Sequence, residues 1–271
     1  MNKPTDHHLP KVGERRFAMA VEYDGQRYHG WQRQRSVDSV QQRLEKALSV
    51  VANHPVEVTC AGRTDRGVHA TSQVLHFDSA AVREAHGWQM GAMSNLPADI
   101  TPLWVRPVAD TFHARFSATR RFYRYVVLNR TARPALQRKR MTWWYQPLDV
   151  ARMQQAAPAL LGTHDFTSLR GKDCQAHSPV RELQQLEIHQ HGALIYFDLC
   201  ANAFLHHMVR NIVGTLFEVG MGKRAVDSLP AVLAARDRDA AGITAPADGL
   251  YLTGVEYPQA LLSCQPVWPQ F

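Results

Sequence analysis

Residues 56–78 read VEVTCAGRTDRGVHATSQVLHFD, two apolar runs on either side of a polar loop bracketed by glycines. Residues 56–61 have the β-branched composition of a strand, and residues 73–78 (QVLHFD) are strand-like again. Between them, Gly62-Arg63-Thr64-Asp65-Arg66-Gly67 sets one carboxylate between two guanidinium groups. Glycine permits a tight backbone path and the close approach of a bulky ligand. A carboxylate placed in a cleft serves as nucleophile or base. The same residues also compose an ordinary β-turn whose Asp caps its own backbone. The loop alone leaves both readings open.

Working outward, residues 17–23 (FAMAVEY) form a short strand ending at the turn signal Asp24-Gly25. Ser39 is an N-cap with Gln42 three residues on, and Val40, Leu44, Ala47, Leu48 and Val51 recur at helical spacing. His54-Pro55 ends that helix. In the second half, residues 121–128 (RFYRYVVL) read as a strand and 150–161 as a helix. Residues 183–189 and 193–200 are strands about a turn at His191-Gly192. The strongest helix follows, with Leu205, Met208, Val209, Ile212, Val213, Leu216 and Phe217 on one face and Gly220 and Gly222 at its end. Its polar side carries His206, Arg210 and Asn211. Residues 251–255 form a last strand. Strands precede helices in both halves, and no low-complexity linker parts them. The expectation is an α+β protein of two similar α/β subdomains sharing one continuous, mostly antiparallel sheet with a central cleft. The divisions are a mobile polar tail at 1–14, subdomains at 15–110 and 111–258, and a tail at 259–271.

With 271 residues the chain builds a core without staples. No apolar run reaches the roughly 20 residues of a spanning helix, and the start lacks a secretory signal. The cytoplasm is the expected location. Cys60, Cys174, Cys200 and Cys264 are far apart and form no CxxC pair, so reduced thiols are expected. There is no GxGxxG after a strand, no Walker loop and no HExxH helix. Neither a nucleotide cofactor nor any other is expected. His206-His207 invites a metal reading, but adjacent histidines on a helix point in different directions and do not easily share an ion. Asp165, in GTHDF, reads as a capping residue.

The formal charge is +7, and its distribution is uneven. Residues 111–140 hold nine Lys or Arg and no acid, with Phe112, Phe116, Phe122, Tyr123 and Tyr125 interleaved. Cations mixed with aromatics suit folded RNA, whose unpaired bases stack on rings. A solvated strand surface is the plainer alternative.

AGRTDRGVHA (61–70) resembles the catalytic loop of the tRNA pseudouridine synthase A family. The likeness extends to YDGQRYHGWQRQ (23–34), FHARFSATRRFYRY (112–125), LLGTHDFTSLR (160–170), ANAFLHHMVRNIVGTLFEVG (201–220) and GLYL (249–252). These blocks keep the family's order. The resemblance implies the pseudouridine synthase fold and a cofactor-free isomerisation of uridine at positions 38, 39 and 40 of the tRNA anticodon stem-loop. Asp65 would be the nucleophile, and Arg63 would enter the stem and help to flip the base. Tyr123 would stack on the uracil, Arg210 would pair with Asp65, and Leu252 would pack beneath the base. Phe112, His113, Ala114, Arg115, Phe116 and Arg121 would line the RNA. Attack at C1′, attack at C6 and removal of the C2′ proton are all open to Asp65. A homodimer with the RNA crossing between subunits is implied as well.

Three departures from the family pattern stand out. Arg66 replaces a common Ala after the Asp, and Phe122 stands where Arg is frequent. The loop at 171–179 (GKDCQAHSP), with Cys174, Gln175 and His177 as its expected RNA contacts, is diverged. The rival readings are a catalytically silent tRNA-binding protein and a glycosidic-bond hydrolase, the latter needing a second acid that the sequence does not display.

Overall fold

A computed structural model describes residues 9–269 and 271. The fold is mixed α/β with a mostly antiparallel sheet, as expected. Its strands are β1 (Arg15–Tyr23), β2 (Thr59–Cys60), β3 (His69–Ser79), β4 (Ile100–Pro107), β5 (Arg120–Asn129), β6 (Thr142–Trp144), β7 (Gly162–Asp165), β8 (Val180–His191), β9 (Leu194–Ala201) and β10 (Leu250–Glu256). The hydrogen-bonded order is β4-β1-β3-β10-β5-β9-β8-β7, with β2 on β3 and β6 on β5. Only β6 runs parallel to its neighbour among the pairs described. The helices are α1 (Val40–Ala52), α2 (Ala85–Asn95), α3 (Val150–Ala156), α4 (Met208–Gly220) and α5 (Leu229–Ala235). Among the described residues, no helix is long and apolar enough to cross a membrane.

The chain divides into two compact units. The first ends at Thr119 and resumes at Leu252, inside β10; the second is Arg120–Tyr251 with Phe271. The sequence reading cut the chain at 110/111 instead. Residues 112–119 stay with the first unit because Arg16 binds the carbonyls of Asp110 and Phe112 at 2.8 and 2.9 Å. The Phe112 ring also packs on Tyr257 at 5.0 Å. Of the expected tail at 1–14, residues 1–8 lie outside the described residues.

In the first unit, β1 pairs with both β3 and β4, and Met19, Ala20 and Val21 are fully buried. Phe17, Phe77 and Trp88 form an aromatic cluster with centroids 4.9–5.7 Å apart, seating α2 on the sheet. Ser39 caps α1 by accepting from the Gln42 N–H at 3.4 Å. The helix stops one residue before His54-Pro55, at Asn53, which turns left-handed (φ 58°). The expected strand at 56–61 shrinks to Thr59–Cys60. Its earlier donors are taken by α1: Val56 N–H binds Ser49 Oγ at 2.9 Å and Val58 N–H binds Glu45 Oε1 at 3.3 Å. The sequence reading did not anticipate α2 and β4.

In the second unit, the rings of Tyr125, Phe197 and Trp144 surround Phe217 of α4 at 4.8–6.3 Å. The expected helix over 150–161 ends at Ala156 and tightens to a 3₁₀ turn at Ala157–Leu160, where Pro158 supplies no N–H. Gly214 lets residues 243–245 lie directly on α4, since a Cβ there would stand 1.8 Å from the Ile243 carbonyl. Asn211 was expected on the polar side of this helix and is instead fully buried. It donates to Leu169 O at 3.0 Å and accepts from Thr244 Oγ1 at 2.6 Å.

His76 is buried in β3, and its Nδ1 accepts from the Ala114 N–H at 3.1 Å. Burial, helped by the charges of Arg16 and His113, pushes its pKa down to about 3. The imidazole is therefore neutral in the fold, while in the unfolded chain it takes a proton near its ordinary 6.5. Its stabilising share is complete above pH 6.5 and lost as pH falls from there towards 3, with a slope of up to about 1.4 kcal/mol per pH unit. His76→Asn keeps an acceptor near Nδ1 but does not titrate. Chemical denaturation across pH 4–7 should show a flatter acid slope in this variant, whatever its packing costs at neutral pH.

Candidate active site

In the first unit, the loop at 62–67 is held from three sides. Gln73, on β3, donates from Nε2 to the Gly62 carbonyl at 2.5 Å. The Trp31 N–H donates to the Thr64 carbonyl at 3.0 Å, and the Tyr23 hydroxyl lies 2.8 Å from Thr64 Oγ1. The loop then closes on itself, Val68 N–H binding the Asp65 carbonyl at 3.1 Å. Behind it, His69 is buried and its Nδ1 accepts from the Gly25 N–H at 3.1 Å. The result is a fixed backbone on which Asp65 is half-buried between the exposed side chains of Arg63 and Arg66.

Gly30 is the tightest part of this mount. Its φ is +89°, and a Cβ would stand 2.7 Å from the Thr64 carbonyl and 3.1 Å from the Arg66 nitrogen. No larger residue lets the 30–31 segment reach the loop. The sequence reading noted the YDGQRYHGWQRQ block but gave no role to Tyr23, Gly30 or Trp31, and none to Gln73. A glycine directly before a tryptophan, outside any periodic element, was the available signal for a close backbone approach.

Cys60 lies under the loop, and burial pushes its thiol up to about 12 against the lowering charges of Arg63 and Arg115. It is a neutral core group. The Ala114 N–H bonds His76 Nδ1 on β3, opposite Thr59 of β2, so the FHARF segment packs on the strands that carry the Asp65 loop. Within that segment Phe112 and Ala114 are fully enclosed, so their side chains are core residues rather than RNA-facing ones. His113 is nearly as buried, and its Nδ1 accepts from the N–H groups of both Arg115 and Phe116 at 3.1 Å. It shapes the turn. Arg115 and Phe116 are the exposed members, with the guanidinium 5.5 Å from the ring centroid. Leu252, on β10, is fully buried.

In the second unit, Tyr123 lies on β5 opposite Leu199 and meets Phe204 edge-on at 5.0 Å. Arg210 occupies the first turn of α4. Its Nε donates to the Ala245 carbonyl at 2.7 Å, and its own carbonyl accepts from the Ala245 N–H at 3.0 Å. Arg121 is buried and donates to the Asn202 carbonyl at 2.7 Å, a structural use of a residue expected at the RNA. Gln175 and His177 are exposed on the 171–179 loop, and Cys174 is half-buried there. His206 and His207 precede α4 rather than lying on it, and His207 is left-handed (φ 61°). Their ring centroids lie 3.8 Å apart with the planes tilted by 31°, which corrects the expectation that the two point apart. Asp165 ends β7 and accepts from the Thr167 N–H at 2.9 Å, a turn-closing bond; the cap of the 3₁₀ turn that follows is Phe166, not the Asp expected there. Hydrogen bonding from Thr167, through its side chain first and its N–H second, with the nearby Arg236, holds the Asp165 carboxyl below the usual range.

The sequence profile of the tRNA pseudouridine synthase family matches residues 19–117 and 156–258. Asp65, Arg63, Arg210 and Leu252 lie inside those spans, and Tyr123 falls between them. The tRNA pseudouridine synthase A of Enterobacter sp. (strain 638) is 51% identical over 257 residues, 94% of this chain and 95% of its own. Proteins of the same name from Salmonella paratyphi B and Salmonella newport match to the same extent. The mount of Asp65 thus belongs to an isomerase. This chain is a member of the tRNA pseudouridine synthase family.

Gly30→Ala forces an unfavourable φ and a backbone clash together. It should cost more than about 1 kcal/mol of stability. Denaturant unfolding of the variant against the parent measures this, and an unchanged midpoint would contradict the close approach.

Proposed function

We propose that this chain isomerises uridine to pseudouridine at positions 38, 39 and 40 of the tRNA anticodon stem-loop, with Asp65 as its nucleophile. The observation that carries the reading is the mount of Asp65, one carboxylate on an immobilised loop between two exposed guanidinium groups, in a chain of this family. The N1–C1′ bond breaks, the uracil turns, and a C5–C1′ bond forms. C5 gives up its proton and N1 takes one, so no redox partner is required. A carboxylate suits the reaction because it bonds to electrophilic carbon and still leaves.

A base stacked in a helix offers no path to its glycosidic carbon, so it must first be flipped out. Arg63 takes that part, next to the nucleophile and exposed. Tyr123 stacks on the flipped uracil, Leu252 packs beneath it, and Arg210 pairs with Asp65 and aims it; the family resemblance supports these three roles. One enzyme acting at three adjacent positions reads shape and backbone rather than base edges. The exposed Arg115–Phe116 tip and Arg66 are suited to such contacts, and the 171–179 loop contributes Gln175 and His177. The working form is a cytoplasmic homodimer with the tRNA crossing between subunits.

The test is incubation with unmodified tRNA carrying tritium at C5 of uridine. Tritium release without free uracil is the expected result. Free uracil would indicate a hydrolase, and neither product would leave a silent binder. Asp65→Ala should abolish release while tRNA remains bound in a filter assay; retained turnover would overturn the nucleophile assignment. Arg63→Ala should slow turnover at saturating tRNA by about 10-fold or more while affinity changes little. An equal loss of both would contradict its role in flipping.

A further inference from the structure

Gln73 is fully buried on β3, opposite Val21 of β1, in a position otherwise suited to an apolar residue. Its amide has one use that the structure records. Nε2 binds the Gly62 carbonyl at 2.5 Å, while Oε1 is buried with no hydrogen-bond partner. An unpaired acceptor in a core works against folding. A methionine of similar volume would fill the space without the unpaired acceptor, leaving the half-exposed Gly62 carbonyl to water. A polar residue placed where it works against stability points to a purpose other than stability.

The place of the bond indicates the purpose. Gly62 and Thr64 are the residues on either side of Arg63, and each is clamped: Gly62 by Gln73, Thr64 by Trp31 and Tyr23. We propose that Gln73 is a positioning residue that sets the path of the loop at Gly62 and so aims Arg63 and Asp65 together. With Thr64 still held by Trp31 and Tyr23, loss of the Gly62 bond lets the loop tilt about Thr64 rather than swing freely, and a tilt that moves the Asp65 carboxylate by about 1 Å is enough to matter. A misplacement of that size lowers the rate of an oriented reaction by up to about 100-fold. The bond acts on geometry, leaving the contacts that bind tRNA in place. Gln73 therefore governs kcat more than KM. This inference rests on the isomerase reading, which the tritium release of the parent enzyme tests by itself.

The experiment compares full-length parent and Gln73→Met by tritium release across tRNA concentrations and by thermal unfolding. The expected result is a kcat lower by about 10- to 100-fold, a KM within about 2-fold, and a Tm equal to or above the parent's. A purely structural Gln73 gives the opposite pattern, a lowered Tm with kcat unchanged, and overturns the proposal. A rise in KM alone, or no change at all, overturns it too. Should Gln73→Met fail to fold, that also speaks for a structural role. Gln73→Asn then checks it, since it keeps the amide but withdraws it by one carbon. A folded Gln73→Asn with parental kcat sinks the proposal, and one with the kcat-only loss sustains it. A silent parent enzyme would remove the isomerase reading and this inference with it.

Discussion

The first unit depends on a contact in which a side chain is not allowed. The backbone at Gly30-Trp31 lies between the N-terminus of α1 and the Asp65 loop. Trp31 accepts from the Gln41 N–H at 3.0 Å on one side and donates to the Thr64 carbonyl at 3.0 Å on the other. Such a three-layer contact of main chains needs a residue with no Cβ and a positive φ at its centre, and Gly30 meets both conditions. Because the bonds are to backbone atoms, the loop's position does not depend on the rotamers of Arg63 or Arg66. Those side chains remain exposed while the carboxylate between them is held.

The second unit uses the same device on a helix. Gly214 removes the Cβ that would strike Ile243, and residues 242–245 then run along α4. Thr215 accepts from the Gly242 N–H, Asn211 from Thr244, and Arg210 exchanges bonds with Ala245. The helix is thus tied down on the side that an amphipathic reading assigns to solvent. Arg210 spends part of its guanidinium on a backbone carbonyl, which fixes the direction of the remainder. A cation held in this way loses little conformational entropy when it meets an anion.

The elements most legible in the sequence were those with a strong local pattern of apolar residues. α1 and α4 show apolar spacing near 3.6 residues, β1, β3, β5 and β9 carry β-branched or aromatic runs, and β8 sets Leu183, Leu186 and Ile188 among polar residues. α2 was not legible, because AHGWQMGAMSN buries only Trp88 and Ala92 and has no continuous stripe. Nor was β4, where Pro102 and Pro107 interrupt an edge strand. The strand expected over 56–61 was shortened by side chains of α1 that take its N–H groups, partners separated from it by up to 13 residues.

The loop of Asp65 and its flanking arginines could be identified from the sequence alone, since glycines around a charged triplet are a local pattern and the family blocks are collinear. What supports that loop is not local. Tyr23, Gly30 and Trp31 come from more than 30 residues upstream, and Gln73 from the strand after it. Likewise FHARF reads as five RNA contacts, yet folding encloses Phe112 and Ala114 and turns His113 inward, leaving Arg115 and Phe116 outside. Residue type decides what chemistry a side chain offers. Which face of the backbone it occupies, and what main chain can approach it, is settled only when distant segments pack, because a hydrogen bond or a van der Waals contact acts over a few ångströms of space whatever the separation in sequence.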